Sequence, residues 1–182
     1  MTHLSPTDQA FIELVDRYLD RVYRYLRNLT RSEDEARELA HETFLQLRRK
    51  LEPGRPPTEA YVFTTARNAF LSQWRRRRSE ERKREGAAAE ADTAAGTWCA
   101  DASAVSPQRT TERNELKSDL EAALERLPED QRSVFLLSEV EGMKYEQIAE
   151  VMGIPAGTVA SRKHHASRAL REDLERSGHA LR

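Results

Sequence analysis

A chain of 182 residues is long enough for one ordinary domain or two small ones. A formal charge of −1 gives no global attraction for a polyanion, and 34% charged with 38% hydrophobic residues, 7 Gly and 7 Pro suit helices around modest cores. The single cysteine, Cys99, excludes an internal disulfide and fits a reducing cytosol, and no apolar run approaches the roughly 20 residues of a membrane span.

The opening MTHLSPTDQAF lacks the basic start and apolar core of a signal peptide, so the chain is expected to stay in the cytoplasm. Ser5-Pro6-Thr7-Asp8 has the form of a capping box with Pro at the first helical position. Phe11, Val15, Tyr18, Val22, Leu26 and Leu29 follow at three- and four-residue steps and predict a first helix. Ser32 and Glu35 start a second, with Ala36, Leu39, Ala40, Thr43, Phe44 and Leu47 inward, until Pro53-Gly54 stops it. Thr58 caps a third, with Val62, Ala66, Ala69, Phe70 and Trp74 inward, which runs into Arg75-Arg76-Arg77-Arg78.

From about Gly86 to Pro107 the periodicity vanishes in an Ala-, Asp- and Ser-rich stretch that reads as a linker, with Trp98 beside Cys99 as its oddity. Leu116, Leu120, Ala123, Leu124 and Leu127 then form a new stripe. Pro128-Glu129-Asp130 suits a first turn, and Val134, Phe135, Leu137 and Val140 continue that helix to Gly142. A short helix, Tyr145 to Met152, ends at Gly153, and a last one runs from near Pro155 to about Glu175. Nothing alternates with period two. The fold class expected is all-α: two small helical domains, 5–85 and 112–177, joined by a flexible linker at 86–111.

The last two helices, around a glycine turn, make a helix-turn-helix pattern, in which the first braces the second and the second enters a major groove. Between Thr158 and Arg171 the charges are Arg162, Lys163, Arg168 and Arg171 with no acid, which suits a phosphate backbone. Ser and His can reach base edges. Adjacent His164 and His165 diverge by about 100° on a helix and cannot chelate one ion together. No metal site, cofactor or catalytic residue is expected: there is no Gly-rich phosphate loop, ligand cluster or paired carboxylate.

Residues 127–174, LPEDQRSVFLLSEVEGMKYEQIAEVMGIPAGTVASRKHHASRALREDL, closely resemble the C-terminal promoter-reading domain of extracytoplasmic-function sigma factors. These carry a Leu-Pro start, a Tyr-Glu-x-Ile-Ala helix and a Gly-Thr-Val-x-Ser-Arg helix in this order. The resemblance implies recognition of the minus-thirty-five element, with Ala160, Ser161, His164 and His165 at base-reading positions. Arg162 and Arg168 fall at backbone-contacting ones, and Thr158 opens the helix. Ala160 stands for a usual basic residue, His165 for a usual Arg, Lys163 for a usual apolar residue and Lys144 for a common Ser or Thr cap, so the resemblance does not fix the DNA sequence read.

The other half carries the same resemblance. Residues 33–49, EDEARELAHETFLQLRR, are similar to the sigma segment that binds the clamp coiled coil of RNA polymerase, with Glu35, Glu38, His41 and Glu42 at its polar positions. Residues 58–78, TEAYVFTTARNAFLSQWRRRR, resemble the promoter-melting helix, with Tyr61 where Trp is common. Unpaired DNA needs a cationic track and polar groups for extruded bases; Arg67, Arg75, Arg76, Arg77 and Arg78 supply the first and Asn68 both a donor and an acceptor. Phe63 and Trp74 fit the core. The implied partners are core RNA polymerase, promoter DNA read at the minus-ten and minus-thirty-five elements, and an anti-sigma factor, with no membrane insertion. About 25 extended residues reach roughly 80 Å, enough for elements about 60 Å apart. The rival reading is a free-standing helix-turn-helix regulator that binds operators without polymerase.

Overall fold

The computed structural model describes residues 5–52, 54–85 and 111–178. The expected linker, all but its last residue, lies outside them, as do Trp98, Cys99 and Pro53. The elements are α1 (Pro6–Thr30), α2 (Glu33–Arg49), α3 (Glu59–Glu85), α4 (Thr111–Arg126), α5 (Glu129–Phe135), α6 (Tyr145–Met152) and α7 (Ala156–Arg176). Among the described residues the fold is all-α, with one isolated bridge between Glu52 and Arg55.

The helix boundaries follow local chemistry. Ser5 Oγ accepts from the Asp8 N–H at 3.1 Å and donates to the Asp8 carboxylate at 2.8 Å. Ser32 Oγ accepts from the Glu35 N–H and Thr58 Oγ1 from the Tyr61 N–H, each satisfying one orphan donor of a first turn. At α6 the N–H of Lys144 donates to Gln147 Oε1 at 3.0 Å, which replaces the missing Ser or Thr cap with the other half of a capping box. Gly153 ends α6 in the left-handed region at φ 65°, where a Cβ is disfavoured.

One departure from the expected helix lies between α5 and Gly142. Leu136–Val140 forms a π turn, with the Glu141 N–H donating to Leu136 O at 3.1 Å. Leu136 and Leu137 stay buried while Val140 is exposed. Leu116 of the α4 stripe is likewise exposed, whereas Ala123, Leu124 and Leu127 pack with Ala166 and Leu170 of α7.

The helices before and after the linker pack on one another. A single core cluster unites Val22, Tyr25 and Leu26 of α1, Leu39 and Leu47 of α2 and Phe63 of α3 with Val134, Leu137, Ile148 and Val159. At its centre the edge of one ring meets the face of the other for Tyr25 and Phe63, centroids 5.6 Å apart and planes at 78°. The Tyr25 hydroxyl donates to Ser133 Oγ at 3.2 Å, and Ser133 donates to Glu129 Oε1 at 2.7 Å. Arg132 adds a second stitch, donating to the carbonyls of Leu29, Glu125 and Leu127.

Full burial pushes the Tyr25 phenol well above the ordinary tyrosine range, with the Ser133 hydrogen bond opposing in part. The sign follows by linkage. Below about pH 10 the phenol is neutral in folded and unfolded chains alike, and the fold keeps its full benefit. Above that the unfolded chain releases the proton first, so each further unit costs about 1.4 kcal/mol until the folded pKa is passed. Ionisation of the last phenol and loss of helix should therefore appear together in an alkaline titration, and Tyr25→Phe should move the transition to higher pH. An unmoved transition would exonerate Tyr25.

Candidate nucleic-acid interface

The residues expected to contact DNA separate into distinct faces. At about 100° per residue, Tyr61, Thr64, Asn68, Ser72, Arg75 and Arg76 fall along one side of α3. Tyr61, Asn68, Ser72, Arg75 and Arg76 are exposed. Beside Tyr61 lies an open cleft of about 340 Å³, whose lining includes Leu51, Arg55, Pro57 and Lys50. Aromatic, amide and cations thus follow one another from the start of α3 toward its end. Tyr61 was not among the residues singled out for DNA; it is 39% exposed on the same side of α3.

The other three arginines point elsewhere. Arg67 turns toward α5, where its Nη2 donates to Glu129 Oε2 and Asp130 Oδ1, both at 2.9 Å. Arg77 pairs with Glu35 of α2 at 2.7 Å, so one expected DNA contact and one expected polymerase contact engage each other. The Arg78 guanidinium lies over the Trp74 ring, 5.2 Å from its centroid. Phe63 is fully buried, in keeping with its assignment to the core.

On α2, Glu38, His41 and Glu42 are exposed while Leu39, Ala40, Phe44 and Leu47 are buried beneath them. Leu45 shares the outward face and is 40% exposed, an apolar side chain set among acids. Its position off the three- and four-residue apolar stripe was the signal that could have found it.

On α7, Val159, Ala166 and Leu170 face inward. Ala160, Ser161, His164 and Arg168 share the outer side, with His165 at its edge. Thr158 is half-buried, and its carbonyl accepts from Ser161 Oγ at 3.0 Å. The His164 and His165 rings diverge, centroids 6.0 Å apart at 59°. Among the described residues no three His, Cys, Asp or Glu side chains gather as a metal site. Arg168 pairs loosely with Glu172 at 3.5 Å, whereas Arg162 lies at the helix flank and pairs with Asp130 at 3.0 Å. Lys163, where an apolar residue was usual, lays its ammonium over the Tyr145 ring and on Glu139 at 2.6 Å, and that carboxylate holds its pKa above the ordinary lysine value.

A brace helix, a glycine turn and a presented helix that is polar outside and apolar inside define a helix-turn-helix DNA-binding fold. Residues 14–80 match the family model Sigma-70 region 2, and residues 117–170 match Sigma-70, region 4. The ECF RNA polymerase sigma factor SigE of Mycolicibacterium smegmatis is 32% identical over 163 residues, 89% of this chain and 60% of that protein. The ECF RNA polymerase sigma-E factor of Haemophilus influenzae is 30% identical over 191 residues, 93% of this chain and 96% of that one. The chain belongs to the ECF RNA polymerase sigma factors.

Solved structures share the fold, among them the two that follow. The sigma factor RpoE of Bartonella quintana, in complex with the anti-sigma factor NepR, superposes with a TM-score of 0.66 at 26% identity, covering 91% of this chain and 96% of that one. CnrH, in complex with the cytosolic domain of CnrY, gives 0.63 at 20% identity, covering 93% and 95%. No helix among the described residues is long and apolar enough to cross a membrane.

Proposed function

We propose that this protein directs transcription initiation by binding core RNA polymerase and reading a promoter at two places. The observation that carries the reading is the exposed line of Tyr61, Asn68, Arg75 and Arg76 on α3, in a chain that also presents the outer face of α7. Residues 5–85 serve as the polymerase-binding and melting domain, 112–177 as the minus-thirty-five reader, and 86–111 as the tether between them. The cleft beside Tyr61 has the size and lining to receive an extruded base of the minus-ten element, with Tyr61 as stacking partner and Lys50 and Arg55 near its phosphate. Ala160, Ser161, His164 and His165 meet bases, and Arg168 meets the backbone.

Glu35, Glu38, His41 and Glu42 form the polymerase face, with exposed Leu45 as its apolar anchor. The work is done by binding energy, without covalent chemistry or a cofactor, and in the cytoplasm, where the polymerase is. An anti-sigma protein restrains it, as the structural likeness to a sigma factor held by NepR supports. The free-standing regulator gains no support from a chain that carries both sigma regions in order.

The test is run-off transcription with purified core polymerase and a promoter library. The intact chain should start transcripts, and Glu38→Ala with Glu42→Ala should reduce polymerase capture by about tenfold, the loss of two charge-assisted contacts. Specific operator binding without polymerase, together with no transcript from any template, would overturn the reading.

A further inference from the structure

The outer side of α7 carries little fixed charge. Arg162, at its flank, pairs with Asp130 of α5 at 3.0 Å, and Lys163 lies on Glu139 of the π turn at 2.6 Å. Arg168 leans on Glu172 at 3.5 Å. Arg171 is exposed two turns beyond His164, outside the N-terminal half of the helix that meets base edges in this motif. Ala160 and Ser161 are uncharged. What remains on that side is His164 and His165, both exposed and neither hydrogen-bonded among the described residues.

The neighbouring elements leave the two rings to the solvent. Asp130 of α5, Glu139 of the π turn and Arg126 of α4 are each paired with an α7 side chain other than the histidines, namely Arg162, Lys163 and Asp173. On α6, Tyr145 lies beneath Lys163, while Lys144 before it and Glu146 and Glu150 within it are exposed.

We propose that His164 and His165 read the minus-thirty-five element as imidazolium ions, so that docking of α7 takes up protons and promoter recognition strengthens as the pH falls. This deepens, and rests on, the reading of these two residues as DNA contacts. Imidazole is the side chain whose charge changes between about pH 5 and pH 8. Neutral, it offers one N–H donor and one acceptor; charged, it offers two donors. Phosphate oxygens, and O6 and N7 of guanine, only accept, so the charged form is the matched one. The negative field of the phosphates favours the same form. The two rings stand 6.0 Å apart at 59°, so they reach different acceptors instead of competing for one. Each proton comes from solvent onto a ring nitrogen and returns there when α7 leaves. A group more fully protonated in the bound state contributes affinity that is complete at acid pH and is lost as the pH rises through its bound titration. Arginine at these positions would make no such exchange, because a guanidinium keeps its charge throughout.

The test uses core polymerase reconstituted with the full chain and a promoter recovered from the run-off library. Affinity is measured for that promoter and for the same promoter with its upstream element scrambled. Their ratio cancels titrations elsewhere in the polymerase and at His41. With the unaltered chain the ratio should fall about tenfold or more between about pH 6 and about pH 8. His164→Gln with His165→Gln should hold it low and flat, and His164→Arg with His165→Arg should hold it high and flat. A ratio constant with pH in the unaltered chain, or one that falls equally in the Gln pair, overturns the proton uptake and leaves the reading of α7 standing. A scrambled element that costs nothing at any pH removes α7 from promoter reading, and the proposal with it. The wider reading fails separately, by the absence of transcripts with core polymerase.

Discussion

Phe63→Ala is expected to destabilise the chain by about 3–5 kcal/mol, a large part of what an ordinary domain possesses. The side chain is fully buried at the point where α1, α3 and the later helices converge. Its removal deletes the ring-edge contact with Tyr25 at 5.6 Å and the Arg21 guanidinium that lies 5.3 Å from its centroid. A cavity remains that backbone on three helices cannot close cheaply, since interiors are packed like crystals. Urea denaturation followed by helix signal measures the loss, with Phe63→Leu expected to recover a good part of it. A change below about 1 kcal/mol would mean that the shared core does not exist in solution.

Tyr61→Ala should leave the fold nearly untouched, because the ring is well exposed, yet it should lower open-complex formation by about five- to hundredfold, the worth of one stacked base. Asn68→Ala, about two turns further along the same side and also exposed, should weaken melting in the same direction while polymerase capture stays whole. Permanganate reactivity of the promoter thymines is the measurement. Footprints of undiminished strength in both variants, with transcription unchanged, would show that the exposed line of α3 is not what holds the separated strand.

Much of this was legible in the residues. Ser5, Ser32 and Thr58 start helices because short hydroxyl side chains reach the orphan N–H groups of a first turn, a purely local matter. Gly142 and Gly153 end theirs because their backbone sits at positive φ. Val159, Ala166 and Leu170 revealed the inner side of α7 by spacing alone. The π turn at Leu136–Val140 was not legible, since one widened turn barely disturbs an apolar period. Nor were the partners of Arg67, Arg77 and Arg162. A run of arginines announces cations, but which acid each meets depends on residues 62, 42 and 32 positions away, and no period encodes that.

The continuous interior that joins both halves has a thermal consequence. Parting them wets Phe63, Val134, Leu137 and Ile148, and apolar hydration carries a positive heat-capacity change. The free energy of separation is then a dome in temperature, so the halves loosen on chilling as well as on warming. A cold-shocked solution of this protein would hold more of the parted form than one near room temperature.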